Sequence, residues 1–251
     1  MAPRATRGRT ARPVWPLQRA AAKRTSGTLI VLLIGDSIGD GIGADPTGDG
    51  SDTLAYGGAT PPSGCRLFDS NGASFALQAT YPDNAGAAPE NPGLVPHIHA
   101  RAIAVGYTGC DVYRYAVSGA TTADARGFWQ TAWALLLAAG VTPDLLVGVT
   151  GTNDAPDSTK SAAMAAALPV LVGAAEWLHG CRVVWVEMIA DTAARPEADV
   201  VRATTQTVMG ARPTRASVPG AGLAAQDTVH PTLATYRTQG IGVVDAYQGV
   251  S

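Results

Sequence analysis

Four short runs of the chain are almost continuously apolar and rich in β-branched residues: LIVLLI at 29–34, DVYRYAV at 111–117, DLLVGVT at 144–150 and RVVWVEMI at 182–189. Strands that are covered on both faces read this way, whereas a half-exposed strand alternates apolar with polar residues. Between and after them lie stretches with helical character, roughly 94–106, 122–139, 160–179 and 197–209. Neighbouring parallel strands need a crossover of a dozen or more residues, and a helix supplies it. The alternation therefore predicts a three-layer α/β/α sandwich around a mainly parallel, doubly wound (flavodoxin-like) sheet of about five strands. Pro169 is expected to kink the third helix or to divide it in two, because proline cannot donate to the helical ladder. A length of 251 residues with 46% hydrophobic content fits one large domain built on such a sheet.

Two segments break the rhythm. Residues 1–27 carry Pro3, Pro13 and Pro16 with no apolar period, and residues 1–25 hold seven of the 18 Lys and Arg with no acidic residue. The segment reads as a disordered basic arm, a solvated leader or attachment segment that would suit a polyanion or a larger assembly; its Arg content also resembles an organelle transit peptide. It lacks the apolar core of a secretory signal, and no run reaches the ~18 apolar residues that span a bilayer. The pattern points to no particular compartment. Outside residues 1–25 the balance is 11 basic against 20 acidic residues. That formal surplus of acid argues against nucleic-acid binding by the main domain, residues 28–251. The second segment, 40–93, is a long excursion rich in Gly, Pro, Asp and Asn, and it is expected to build one wall of a pocket. Cys65, Cys110 and Cys181 form no C-x-x-C pair; one bridge plus a free thiol, or three free thiols, both fit the count.

The first apolar run leads into Gly35-Asp36-Ser37-Ile38-Gly39. A serine hydroxyl needs a base to take its proton, a partner to orient that base, and donors for the oxyanion it creates. AAQDTVHPT near the C-terminus places Asp227 and His230 three residues apart, so one carboxylate can orient an imidazole whose other nitrogen faces the serine. Gly119, just past the second run, lets a backbone N–H approach a ligand closely, and Asn153, just past the third, carries a side-chain donor. Ser37, Gly119 and Asn153 all fall at carboxyl ends of predicted strands, the edge where open α/β sheets bind ligands.

The set Gly35-Asp36-Ser37, Gly119, Gly151-Thr152-Asn153-Asp154 and Asp227-Thr228-Val229-His230 resembles, in order and spacing, the four sequence blocks of the SGNH (GDSL-type) hydrolases. The resemblance spans 29 to about 236. It implies that Ser37 is the nucleophile, that His230 is the general base and acid, and that Asp227 orients it. It also implies an oxyanion hole made of the Ser37 N–H, the Gly119 N–H and the Asn153 side chain. An ester substrate, an acyl-enzyme and no metal or organic cofactor are implied as well. The G-x-S-x-G match at 35–39 is not the elbow of an α/β-hydrolase, since only the basic arm precedes the first strand.

Other features have plainer explanations. Asp45, Asp49 and Asp52 lack EF-hand spacing and read as a solvated acidic loop. Trp129, Trp133 and Trp177 read as core or core-covering residues. His97 and His99 have no partner visible in sequence, and Asp154 is expected to support the turn that presents Asn153. The polar segment 40–93, with Tyr56, Asn71, Asp83 and Asn84, suits polyol binding better than an acyl chain. The stretch LVPHIHARAIAVGYTGCDVYRYAVSGATT is similar to the region before the second block in sialate and xylan O-acetylesterase-like members. The expected activity is removal of a small acyl group, acetyl first, from a carbohydrate. A lysophospholipase-like esterase of the same mechanism and a non-catalytic module of a virion or cell envelope are the alternatives.

Overall fold

The computed structural model describes residues 23–39, 58–82, 93–189, 193–225 and 229–250. The expected arm up to residue 22, the acidic loop, Tyr56, Asp83 and Asn84 of the expected pocket wall, and Asp227 with its two neighbours lie outside the described residues. The strands are β1 (Thr28–Gly35), β2 (Cys65–Ser70), β3 (Phe75–Gln78), β4 (Gly109–Ala116), β5 (Leu145–Val149), β6 (Arg182–Val186) and β7 (Arg215–Val218). The helices are α1 (Val95–Ala104), α2 (Thr122–Ala138), α3 (Ser158–His179), α4 (Ala198–Gly210) and α5 (Leu233–Gly249).

The sheet runs β3-β2-β4-β1-β5-β6-β7, with every pairing parallel except β2 with β3. It has seven strands where about five were expected. The additional pair is a hairpin, β2–β3, that the 40–93 excursion lays against the outer side of β4. Its turn is held by Asn71, whose N–H donates to the Ser74 carbonyl (3.1 Å) and whose Oδ1 accepts from the Ala73 and Ser74 N–H groups (3.0 and 2.8 Å).

β1 lies at the centre, which explains its unbroken apolar run. Leu29, Val31 and Leu33 enter the core under α1 and α5, with Val112, Tyr236 and Val243. Leu32 and Ile34 enter the opposite core, with Trp129, Trp133, Met164, Leu168, Trp185 and Val201 of the other layer. Trp129 and Trp133 are thus core residues, while half-exposed Trp177 lies under the Arg212 guanidinium, 5.1 Å from its ring centre. All three cysteines are buried free thiols. His99 finds a partner in Tyr81, whose hydroxyl is 2.7 Å from its Nδ1, and burial lowers both His97 and His99 to about 4.

Pro169 does not divide α3, which runs unbroken for 22 residues. Both Pro169 and Ala165, whose carbonyl the ring deprives of a donor, are exposed, so solvent can take over the lost bond. Within this helix Ser158–Trp177 is long and apolar enough to cross a membrane by length and composition. Here its Met164, Leu168, Leu171, Val172 and Ala175 are buried in the core beside the sheet. At the junction before β1, Lys23 Nζ donates to the Gln248 and Val250 carbonyls, and Arg24 pairs with Asp144 (2.8 Å).

Asp36, directly after β1, is fully buried, and burial pushes its carboxyl up to about 7, with the nearby Asp154 carboxylate adding to the rise and the Ile38 N–H opposing it. The unfolded carboxyl ionises near its ordinary value of about 3.8, whereas the folded one holds its proton to about 7. The native state therefore binds more protons across this window, and stability falls as pH rises through it. Urea unfolding of Asp36→Asn and wild type should show the variant gaining relative stability from pH 4 to pH 7, with the difference levelling off above. A pH-independent difference would contradict this account of Asp36.

Candidate active site

The chain leaves β1 in a turn that is almost too tight for side chains. A Cβ on Gly35 would lie 2.8 Å from the Gly39 Cα and 3.0 Å from the Val149 carbonyl oxygen, so both positions need glycine. The Asp36 N–H donates to the Val149 carbonyl (3.0 Å), tying the turn to β5. The Asp36 carboxylate accepts from the Ile38 N–H (2.9 Å) across Ser37, an Asx turn that reverses the backbone at that residue. Ser37 is thereby set at the sheet's carboxyl edge with 6% of its surface exposed.

His230 comes from the far end of the chain. An isolated bridge between Ala225 and Pro231 closes the loop that contains it. The Thr232 N–H donates to the Ala224 carbonyl (3.3 Å), and the Thr232 side chain caps α5 by accepting from the Thr235 N–H (3.2 Å). His230 is thus two residues before a capped helix, and its Nε2 lies 3.1 Å from Ser37 Oγ. The Tyr236 hydroxyl, one turn into α5, donates to the Ile38 carbonyl (3.2 Å) and joins the helix to the serine turn a second time.

The two strands flanking β1 bring the other two expected groups. Gly35 pairs with Ala116 of β4 on one side and Val149 of β5 on the other, so Gly119 and Asn153 lie in loops beside the Ser37 turn. Val117 to Ala120 form a turn closed by the Ala120 N–H on the Val117 carbonyl (3.1 Å), with Gly119 at a φ of 80°. That closing bond leaves the Gly119 N–H outside the turn. The Asn153 amide donates to the Ala120 carbonyl (3.1 Å), and an amide nitrogen carries a second hydrogen.

Asp154 supports this arrangement from below. It is fully buried, and its carboxylate accepts from the Thr122 N–H (2.9 and 3.1 Å) and the Thr122 hydroxyl (2.9 Å). The Thr122 hydroxyl also lies 2.7 Å from that of Thr150. A carboxylate at the first turn of α2 meets the positive end of the helix dipole, which helps to hold a charge that burial disfavours. Burial still raises the Asp154 carboxyl, with the Thr122 bonds acting against the rise. Arg195 Nε fixes the same loop by donating to the Thr152 carbonyl (3.1 Å).

Sequence reading did not find Thr122, Thr150, Arg195 or Tyr236, since none of them sits in a motif and their partners lie far away in the chain. Asp227, the expected orienting carboxylate, lies outside the described residues. Among the described residues no group of three or more His, Cys, Asp or Glu could hold a metal ion, and Asp45, Asp49 and Asp52 lie outside them.

Solved structures of low sequence identity share this architecture, and three of them illustrate it. A protein from Arabidopsis thaliana aligns with a TM-score of 0.62 and 13% identity over 89% of this chain and 98% of its own. The lipase/acylhydrolase of Enterococcus faecalis gives 0.56 and 17% identity over 89% and 97%. A catalytic mutant of an acetylxylan esterase from Geobacillus stearothermophilus gives 0.54 and 19% identity over 90% and 96%. No curated protein matches the chain significantly in sequence. The profile of GDSL-like lipases and acylhydrolases matches residues 31–243, from the first strand through most of α5. With its serine turn, its asparagine loop and its C-terminal histidine all inside that span, the chain belongs to the GDSL-like lipase/acylhydrolase family.

Proposed function

We propose that the chain is a serine esterase that removes a small acyl group, acetyl first, from a carbohydrate. The observation that carries the reading is the 3.1 Å contact between Ser37 Oγ and His230 Nε2 at the carboxyl edge of the sheet. That distance lies within the range in which a general base takes a proton from its nucleophile. The family and the neighbouring folds support ester hydrolysis. The polar composition of residues 40–93 and the O-acetylesterase-like stretch at 94–122 support a small acyl group on a sugar.

In the first half-reaction Ser37 Oγ attacks the acyl carbon while its proton passes to His230 Nε2. The carbonyl oxygen takes up the negative charge and is met by the Ser37 and Gly119 N–H groups and by the amide hydrogen of Asn153 that Ala120 does not use. His230 then gives the proton to the departing sugar oxygen, and the acyl group stays on Ser37. A water molecule repeats the cycle in reverse: His230 removes its proton, the hydroxide attacks the acyl carbon, and the proton returns to Ser37 Oγ as the carboxylic acid leaves. Asp227 is proposed to hold the His230 ring through its other nitrogen.

Ser37→Ala is expected to abolish turnover on p-nitrophenyl acetate without a change in melting temperature; retained turnover would remove Ser37 from the mechanism. Loss of one oxyanion donor costs roughly a hundred- to a thousandfold in kcat, and Asn153→Ala should fall in that range. Rates on acetyl, butyryl and octanoyl p-nitrophenyl esters should drop as the chain lengthens, and acetylated xylo-oligosaccharide should release acetate. Rates that rise with chain length would replace the carbohydrate reading by a lipid one.

A further inference from the structure

Beside the serine turn the sheet edge holds a second feature, a solvent-open pocket of about 210 Å³ lined by Asp69, Ser70, Asn71, Gln78, Arg114 and Ala116 with Ala76. It lies over the ends of β2 and β4, and Ala116 is the direct strand partner of Gly35, two residues before Ser37. Strands are spaced about 4.8 Å apart, so the pocket begins one strand from the serine turn, at β4, and ends on β3, three strands or about 14 Å away. Asp69 and Arg114 are cross-strand partners. Alternation puts them on the same face as Leu67 and Val112, the side of the sheet covered by α1 and α5. His230 leads into α5, so pocket and catalytic pair share one side as well as one edge.

The floor of this pocket is unusual for a strand end. Arg114 has 3% of its side chain exposed and is paired twice with Asp69, Nε to Oδ1 at 2.5 Å and Nη2 to Oδ2 at 3.0 Å. A buried ion pair is a costly way to close a sheet edge, where an apolar pair would serve stability equally well. Its cation is neutralised by its own partner, so the floor is polar without being charged. Around it Gln78 offers an amide. Asn71 spends its carbonyl oxygen on the hairpin turn and keeps both amide hydrogens.

An acyl chain placed here would strip water from these groups and return no hydrogen bond. An anionic ligand would find no unmatched cation among the described residues that line it. A ring bearing several hydroxyls, each both donor and acceptor, fits the mixed lining and the volume. We propose that this pocket binds one neutral sugar ring, the glycosyl unit next to the one that carries the acyl group. The proposal rests on the carbohydrate-esterase reading for its place in catalysis, and on the pocket alone for binding.

The test uses full-length Ser37→Ala protein titrated calorimetrically with xylotetraose, chitotetraose and, as an anionic contrast, sialic acid. At least one neutral oligosaccharide should bind and sialic acid should not. Adding Ala76→Phe, which fills the pocket from the exposed strand β3, should weaken that binding by about tenfold or more, and Gln78→Ala should weaken it in the same direction. Leu77→Ala, on the opposite face of β3, should leave it unchanged. With Ser37 intact, Ala76→Phe should keep kcat/KM on p-nitrophenyl acetate within about twofold of wild type while KM for acetylated xylo-oligosaccharide rises. Failure of both neutral sugars to bind, preferential binding of sialic acid, or binding untouched by both pocket substitutions would overturn the subsite and leave the esterase reading standing. Pocket-dependent sugar binding by a wild type that hydrolyses no ester would do the reverse.

Discussion

Ser37 and His230 are 193 residues apart in the chain and 3.1 Å apart in space, and much of the architecture serves to keep that contact. One side of it depends on β1, the central strand, whose apolar residues anchor both cores and whose last residue enters a turn only glycine can make. The other side depends on α5, which must be capped at Thr232 and docked so that the preceding histidine faces the turn. The Tyr236 bond to the Ile38 carbonyl links the two directly. A rigid sheet edge and a capped helix are better supports for such a contact than two free loops, because neither end has to be ordered when substrate arrives.

The same economy holds for the groups proposed to receive the oxyanion. Asn153 and Gly119 lie on different loops, and the Asn153–Ala120 bond joins those loops across the mouth of β1. Beneath them Asp154, Thr122 and Thr150 form a buried hydrogen-bonded knot between β5 and the start of α2. Buried polar groups of this kind are tolerated when they are satisfied, and they then fix one geometry at the expense of others. Asp36 is the counter-example: its burial raises its pKa and lowers stability at neutral pH, a cost accepted for the Asx turn that positions Ser37.

The parts of this design that were legible in sequence are those carried by local pattern. The four apolar runs became β1, β4, β5 and β6, because central parallel strands are apolar on both faces. Ser37, Gly119 and Asn153 could be found because each follows such a run. The β2–β3 hairpin was not legible: β3 is four residues long and partly exposed, and its neighbours in sequence look like loop. The strand β7 is as short, and α5 hides its period behind Gly240 and Gly242. Gly240 is needed because a Cβ there would come within 2.6 Å of the His97 Cβ on α1, a demand that only the packed pair of helices reveals. Arg114 lies within one of the apolar runs, and its pairing with Asp69 is visible only with the strand register.

The central claim is that Ser37 is a nucleophile activated by His230. A p-nitrophenyl alkylphosphonate reacts with an activated serine to give a stable adduct, which peptide mass spectrometry can place on one residue. The account predicts a single adduct per chain, on Ser37, with p-nitrophenol released in equal amount, and labelling slowed at least a hundredfold in His230→Ala. An adduct on a different residue, or Ser37 labelling at the same rate without His230, would contradict it.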